Sequence, residues 1–383
     1  MSDLGGRTGR TGRVAPVRHR LGSGPPARWM WAVAAVVVLV VAATMAVLIR
    51  ANLGGHGPLL VVPPPTGQGG QPVPTAGASP TIPLLPPPAG SDDSTAIPRD
   101  PVASRPGRAP GGSGPVPPPG FTLTWADTFD GPAGSGLDRR TYQDDLGGDF
   151  GTGEIETMTG STRNVFLDGR GHLVLRALHD GYRPGSGWTS GRIETRDATF
   201  GAPPGGIMRV EASLRQPQVG RAAGAGYWPA FWMVGAGIRQ GEPWPRMGAV
   251  DIMEGLGGRD AVFATLHCGR EVRGPCREPD GIGSGERSCA GCRSGFHTYA
   301  AEIDRSRRPE QVRWYLDDVP YFTVSQDQVD ARAWANAVDR TFFLIFDLAV
   351  GGDLPERYGG GPDAGTASGG SLTVDYVAVY RRR

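Results

Sequence analysis

After residue 120 the apolar positions alternate with polar ones at a period of two. Val210, Ala212 and Leu214 alternate with Arg209, Glu211 and Ser213. Val312, Trp314 and Leu316 alternate with Arg313 and Tyr315, and Asp317-Asp318 then offers a turn into Tyr321-Phe322-Thr323-Val324. This pattern predicts a β-hairpin. Leu372 to Tyr380 is partly apolar on both faces, as in a strand held between two layers. No window of this region carries a convincing apolar stripe of helical period. Short strands and glycine-rich turns over residues 121–383 predict one all-β domain, a sandwich or barrel, long enough for a large core.

The helical exception lies near the start. Trp29 to Ile49 is uncharged and apolar except for Thr44, between Arg28 and Arg50. A bilayer core of roughly 30 Å needs about 20 such residues in a helix. The apolar part of a cleaved signal peptide is shorter, about 7–15 residues, so length favours an uncleaved anchor. Before the span stand Arg7, Arg10, Arg13, Arg18, Arg20 and Arg28 against Asp3, and after Arg50 no charge appears until Asp92. That excess predicts a single-pass protein of the cell membrane, N-terminus cytoplasmic and C-terminal domain extracellular. Residues 50–120 are a Pro/Gly-rich linker whose Pro63-Pro64-Pro65 and Pro117-Pro118-Pro119 runs exclude helix and sheet interior. The expected organisation is a tail at 1–28, a membrane helix at 29–49, a linker at 50–120 and one domain at 121–383.

Composition agrees. The chain of 383 residues holds 61 glycines and 36 prolines, more than a packed domain uses. Its basic residues are all arginine, and the net charge of +1 argues against nucleic-acid binding driven by overall charge. The cysteines Cys268, Cys276, Cys289 and Cys292 lie in one stretch. Outside the cytoplasm they read as two disulfides stapling a long loop, with three pairings open. Zinc is the weaker reading, because Cys268 and Cys276 are too widely spaced for a regular finger.

The candidate chemistry lies in Trp228-Pro229-Ala230-Phe231-Trp232 and in Trp244-Pro245-Arg246-Met247-Gly248-Ala249-Val250-Asp251-Ile252-Met253-Glu254. These stretches closely resemble the signature of glycoside hydrolase family 16, which includes laminarinases and mixed-linkage β-glucanases. Similar blocks run from Trp125-Ala126-Asp127-Thr128-Phe129-Asp130-Gly131 through Leu348-Ala349-Val350-Gly351-Gly352 to Val374-Asp375-Tyr376, so the resemblance spans nearly all of 121–383. It implies a concanavalin A-like β-jelly-roll sandwich with a sugar-binding cleft on its concave face.

The family signature is Glu-x-Asp-x-x-Glu: nucleophile, auxiliary carboxylate, acid/base. Here it reads Ala249-x-Asp251-x-x-Glu254. On a strand, i and i+2 share a face while i+5 points away, so a bulge is expected to return Glu254 to the cleft. Alanine has no atom that can attack an anomeric carbon, so Ala249 implies a vacant nucleophile position. The resemblance makes Glu254 the acid/base and Asp251 the auxiliary carboxylate. Without a nucleophile, Glu254 reads equally as a carboxylate kept for binding. Asp251 and Asp347 are candidate replacement carboxylates.

Trp228, His267, Phe150, Glu154 and Asp347 are the expected substrate-binding residues, with Trp232 expected in the core. His267 reads equally as a structural histidine. The cleft departs from the family's pattern: Thr152 and Asp347 stand where an amide is usual, and Asp353-Leu354-Pro355 where Asn-Trp-Pro is common. No cofactor is required. Structural calcium at Asp375 stays open, with Thr128 in place of the family's glutamate partner. The function implied is a membrane-anchored protein directed at an extracellular β-glucan-like polysaccharide, with hydrolysis weakened or lost. The alternative is a non-catalytic polysaccharide-binding protein.

Overall fold

Two antiparallel sheets carry the alternation read from the sequence. The structure is a computed structural model and describes residues 115–383 apart from 184–185 and 270–272. The expected tail, membrane helix and nearly all of the linker lie outside the described residues. Among the described residues no helix is long and apolar enough to cross a membrane.

The front sheet has the order β13 (Ile282–Gly283), β12 (Ala261–His267), β11 (Ala249–Glu254), β10 (Tyr227–Gly235), β18 (Phe342–Val350), β8 (Arg192–Thr195) and β2 (Tyr142–Asp144). A short β14 (Arg287–Ser288) also pairs with β12. The back sheet runs β17 (Val319–Ser325), β16 (Gln311–Leu316), β15 (His297–Asp304), β9 (Ile207–Arg215), β19 (Ser371–Arg382), β5 (Leu173–Arg176) and β4 (Val165–Leu167), with β1 (Thr122–Asp127) on β19. A small third sheet joins β3 (Thr157–Met158), β7 (Ser186–Ser190) and β6 (Leu178–Arg183).

The core lies between the large sheets. Phe231 and Met233 of β10, Leu344, Phe346 and Leu348 of β18, and Val250 and Ile252 of β11 point inward. They belong to one cluster with Val210, Ala212 and Leu214 of β9 and with Val374 and Val377 of β19. The Phe231 and Phe346 rings stack at 4.5 Å between centroids. Fully burying one such side chain contributes roughly 1.5–3 kcal/mol. Because the inward positions are every second residue, Trp228, Ala230, Trp232 and Val234 of β10 face outward together, as do Phe343, Ile345, Asp347 and Ala349 of β18. The expected β16–β17 hairpin is present, and Asp317 and Asp318 both have positive φ, at 50° and 64°. Two such residues suit the tight turn that matches the strand twist.

A helix absent from the sequence reading spans α1 (Ala331–Val338). Ala333, Trp334, Ala337 and Val338 are buried, and the Asp330 carboxylate caps it by accepting from the Arg332 and Ala333 backbone N–H groups. Eight residues are too few for a periodic stripe to stand out, so the cap was the readable signal. A second short helix, α2 (Asp353–Arg357), follows β18.

Each disulfide is local. Cys268 pairs with Cys276 and Cys289 with Cys292, with Cα–Cα distances of 5.4 and 5.6 Å. The cysteines therefore close two short loops rather than stapling one long one.

Candidate active site

Strand registry brings the site residues into rows on the front face. One row crosses five strands: Arg192 on β8, Asp347 on β18, Ala230 on β10, Glu254 on β11 and Phe263 on β12. The next row carries Ile345, Trp232, Asp251 and Thr265, and the one beyond it Val234, Ala249 and His267. Glu254 reaches its row through the expected bulge, because the β11–β12 register shifts between Asp251 and Glu254. Trp314 reaches through from the back sheet, its indole N–H donating to the Asp251 main-chain oxygen at 2.8 Å. That bond anchors β11 beside the irregularity.

Ala249, Asp251 and Glu254 thus share the front face. Ala249 is fully buried, in an apolar group with Val234, Met247, Phe343 and Ile345, and Trp232 packs against it. Asp251 and Glu254 are each 7% exposed. The Trp228 indole N–H donates to Glu254 Oε1 at 3.0 Å, and the Thr265 hydroxyl donates to Oε2 at 3.4 Å. Burial raises the Glu254 carboxyl to about 8, the Asp251 charge adding to the rise while Trp228 and His267 oppose it. A carboxyl that keeps its proton near neutrality is suited to act as a general acid.

His267 sits between two carboxylates. Its Nε2 lies 3.1 Å from Asp251 Oδ2 and its Nδ1 lies 2.8 Å from Glu278 Oε2. Burial alone would lower its basicity, but Asp251 and Glu278 outweigh it and hold the imidazole up at about 10. Glu278 is itself buried, and its Oε1 accepts from the Cys268 backbone N–H at 2.8 Å. Gly281 lets this loop lie close: a Cβ there would come within 2.4 Å of Thr265 Cγ2.

On the other flank Asp347 is 6% exposed. The Trp232 indole N–H donates to its Oδ2 at 2.7 Å. The sequence places Trp232 in the core; the structure puts it on the front face with Trp228, because β10 keeps strict alternation along β18. Burial raises Asp347 to about 6 against the pull of Arg192 and Trp232. The Arg192 guanidinium stands over the rings of Phe150 and Trp232 at 4.3 and 5.0 Å, and its Nε lies 2.8 Å from Asp145 Oδ2. Phe150 is 37% exposed, so its ring is available on the surface. Glu154 bonds with the Thr152 hydroxyl, and a β-bridge to Gly351 holds it beside the end of β18. Glu156, under the same edge, accepts from the Val350 N–H at 2.8 Å and is raised to about 7 by burial.

Among solved structures, the endo-1,3-beta-glucanase of Streptomyces sioyaensis is similar at 46% identity, with a TM-score of 0.67 over 70% of this chain and 99% of that one. The laminarinase of Rhodothermus marinus is similar at 30% identity, with a TM-score of 0.55 over 68% of this chain and 97% of that one. A family model described as an XgeA-like, catalytic GH16 domain matches residues 220–288. A glucan endo-1,3-beta-glucosidase of Cryptopygus antarcticus is 30% identical over 277 residues, which cover 68% of this chain and 92% of that protein. The chain belongs to glycoside hydrolase family 16.

The family 16 match at 220–288 takes in β10, β11, β12 and the loop that carries Glu278, the strands and loop around Glu254. The structure brings Ala249, Asp251, Glu254, Trp228 and His267 together, and sets Asp347, Phe150 and Glu154 on the β18–β8 flank. Sequence reasoning missed Glu278, which lies in a loop with no periodic signal. It also missed Arg192 as a site residue. Phe263 was missed as well: its ring meets that of Tyr358 at 4.9 Å, behind Glu254. Among the described residues no three His, Cys, Asp or Glu side chains gather as a metal-binding group. At the position open for calcium, the Thr128 hydroxyl donates to Asp130 at 2.8 Å.

Proposed function

We propose that this chain is a membrane-anchored, extracytoplasmic family 16 protein directed at β-1,3-glucan. Glu254 is the general acid, Asp251 the auxiliary carboxylate that holds His267, and Ala249 stands where the family's nucleophile would be. Without that nucleophile the two-step covalent route is closed, and hydrolysis is weak. Trp228, Phe150 and Glu154 line the surface that meets the sugar.

The observation that carries this reading is the single gap in an otherwise assembled row. Glu254 keeps its indole donor and its raised proton affinity, Asp251 keeps its histidine, and the methyl of Ala249 occupies the remaining outward position of β11. The relatives named as acting on 1,3-β-glucan support the choice of polymer. The anchor rests on residues 29–49 and their flanking arginines. No step is assigned to a metal or cofactor.

The test uses the purified full chain with laminarin, mixed-linkage glucan and agarose, recording reducing-end release and binding on the same samples. Laminarin binding with slow release that disappears in Glu254→Gln is the expected result. Binding with no release would make the protein a glycan-holding module. Separately, the chain should fractionate with membranes, and deletion of residues 29–49 should release it.

A further inference from the structure

The chain that leaves β18 crosses the outer side of the front sheet. It starts against the Trp228 ring, where a Cβ on Gly352 would come within 3.2 Å. Leu354 of α2 then packs with Trp228 and with the apolar group of Leu256, Ala261 and Phe263. Phe263, Thr265 and His267 are the outward positions of β12, since Val262, Ala264 and Leu266 belong to the core. Tyr358, which ends α2, meets the Phe263 ring edge-on, at 4.9 Å and 70°. Phe263 is buried and Tyr358 is 36% exposed. The Tyr358 ring is thus braced on one side and open on the other. Its backbone is pinned to the same edge of the sheet. The Arg259 guanidinium donates to the Tyr358 carbonyl and lies 2.9 Å from Glu286 Oε2. Arg357 pairs with Asp280, next to the Gly281 that lies on Thr265 and His267.

We propose that Tyr358 is a substrate-binding residue, whose open ring face carries a glucosyl unit of the polymer on the β12 side of Glu254. The proposal rests on the reading of the chain as directed at β-1,3-glucan. Position argues for it. Phe263 pairs in register with Glu254, and Thr265 of the same strand donates to Glu254 Oε2. The Phe263 backbone that braces Tyr358 is therefore one strand spacing, about 4.8 Å, from that of Glu254. At the other end of the same row Arg192 stands over the Phe150 ring, which is open to a similar degree. Two half-open rings thus end a row of five strands, about 19 Å across at the backbone. Glu254 lies off-centre in it, three strands from Arg192 and one from Phe263.

The chemistry of this end of the row suits a neutral sugar. A pyranose presents a flat C–H face, and an aromatic ring buries apolar area against it. The charged groups around Tyr358 are matched in pairs, Arg259 with Glu286 and Arg357 with Asp280. They offer partners to hydroxyl groups without a net charge that would select an anionic polymer. Leu354 stands where a tryptophan is common in the family, and it is turned into the apolar group beneath. Tyr358, four residues further on, supplies the aromatic face that this position lacks. The ring is held before any ligand arrives, so little ordering is needed on binding.

The test is the laminarin affinity of the full chain and its variants, which needs no turnover. Tyr358→Ala should weaken binding about three- to tenfold, the scale of one aromatic contact. Tyr358→Leu still covers Phe263 and should lose as much affinity, with an unchanged melting temperature. Tyr358→Phe should bind within about twofold of the unaltered chain, because it keeps the ring. In a chain carrying isotope-labelled tyrosine, the ring signal absent from Tyr358→Phe should shift when laminarin is added. Full affinity in Tyr358→Leu, or a ring signal that stays in place, overturns the proposal and leaves the polymer reading standing. Equal losses in Tyr358→Phe and Tyr358→Ala overturn it too, since the hydroxyl and not the ring would then be the contact. An unaltered chain that does not bind laminarin overturns the polymer reading and the proposal together.

Discussion

Glu254 is buried and His267 partly buried, yet burial acts on them in opposite directions. It favours the neutral carboxyl of Glu254, and it would favour the neutral imidazole of His267 were Asp251 and Glu278 not beside it. Asp251 is the larger of the two opposing influences and Glu278 the smaller. Glu278→Gln keeps the loop's shape and a hydrogen bond but removes one charge, so the His267 pKa should fall from about 10 toward its ordinary value, read by NMR of the ring protons. An unchanged value would mean that Asp251 alone holds the imidazole. Ala249→Glu tests the vacancy. Restored nucleophilic catalysis should raise release from laminarin by a factor on the order of hundreds or more, and the first product should be the β-anomer. The new side chain must rise from among Val234, Phe343 and Ile345 into the cleft. No gain on any β-glucan would show that more than the nucleophile is missing.

At the scale of elements, β11 is the critical strand, because its bulge sets which way Glu254 points. Trp314 ties the strand to the back sheet at the Asp251 carbonyl. Trp314→Phe leaves that buried acceptor unpaired and should destabilise the fold by about 1–3 kcal/mol in denaturant titration, with activity falling at temperatures where the fold is still intact. A stability change without the early activity loss would mean that the bond does not position the bulge. The need for a bulge was legible in the spacing of Asp251 and Glu254, since period-two geometry cannot put both on one face. Trp232 was assigned to the core although alternation puts it, four residues from Trp228, on the same outward face of β10. What the sequence does not show is its partner there, the Asp347 carboxylate on β18. Helix α1 escaped for a different reason: four buried residues over two turns do not stand out from a strand-rich background, although Asp330 marks its start.

For the whole molecule, the raised groups act together on stability. Asp347, Glu156 and Glu254 hold their protons more tightly folded than unfolded, with values of about 6, 7 and 8, and so does His267 at about 10. The folded state therefore binds more protons than the unfolded chain from about pH 4 to 10, and stability falls as pH rises through that window. The melting temperature should be higher at pH 5 than at pH 9. Glu156→Gln should flatten the part of the decline below pH 7; a melting temperature that rises with pH would contradict this account. The sandwich itself was readable from alternation and from the ordered blocks at Trp125, Trp228 and Val374. The flank opposite Glu254 was harder to read, because Arg192, Phe150 and Asp347 come from three distant stretches that only registry unites.

The link from Cys268 to Cys276 also has a consequence for how the protein must be made. Glu278, which meets His267, follows Cys276 by two residues, and the Cys268 backbone N–H is one of its partners. A chain folded in a reducing cytoplasm would keep its strands but leave that loop free to wander. Two preparations with the same sequence and the same circular dichroism could then differ in activity. The redox history of the expression host belongs beside the pH and the polymer in any comparison of their rates.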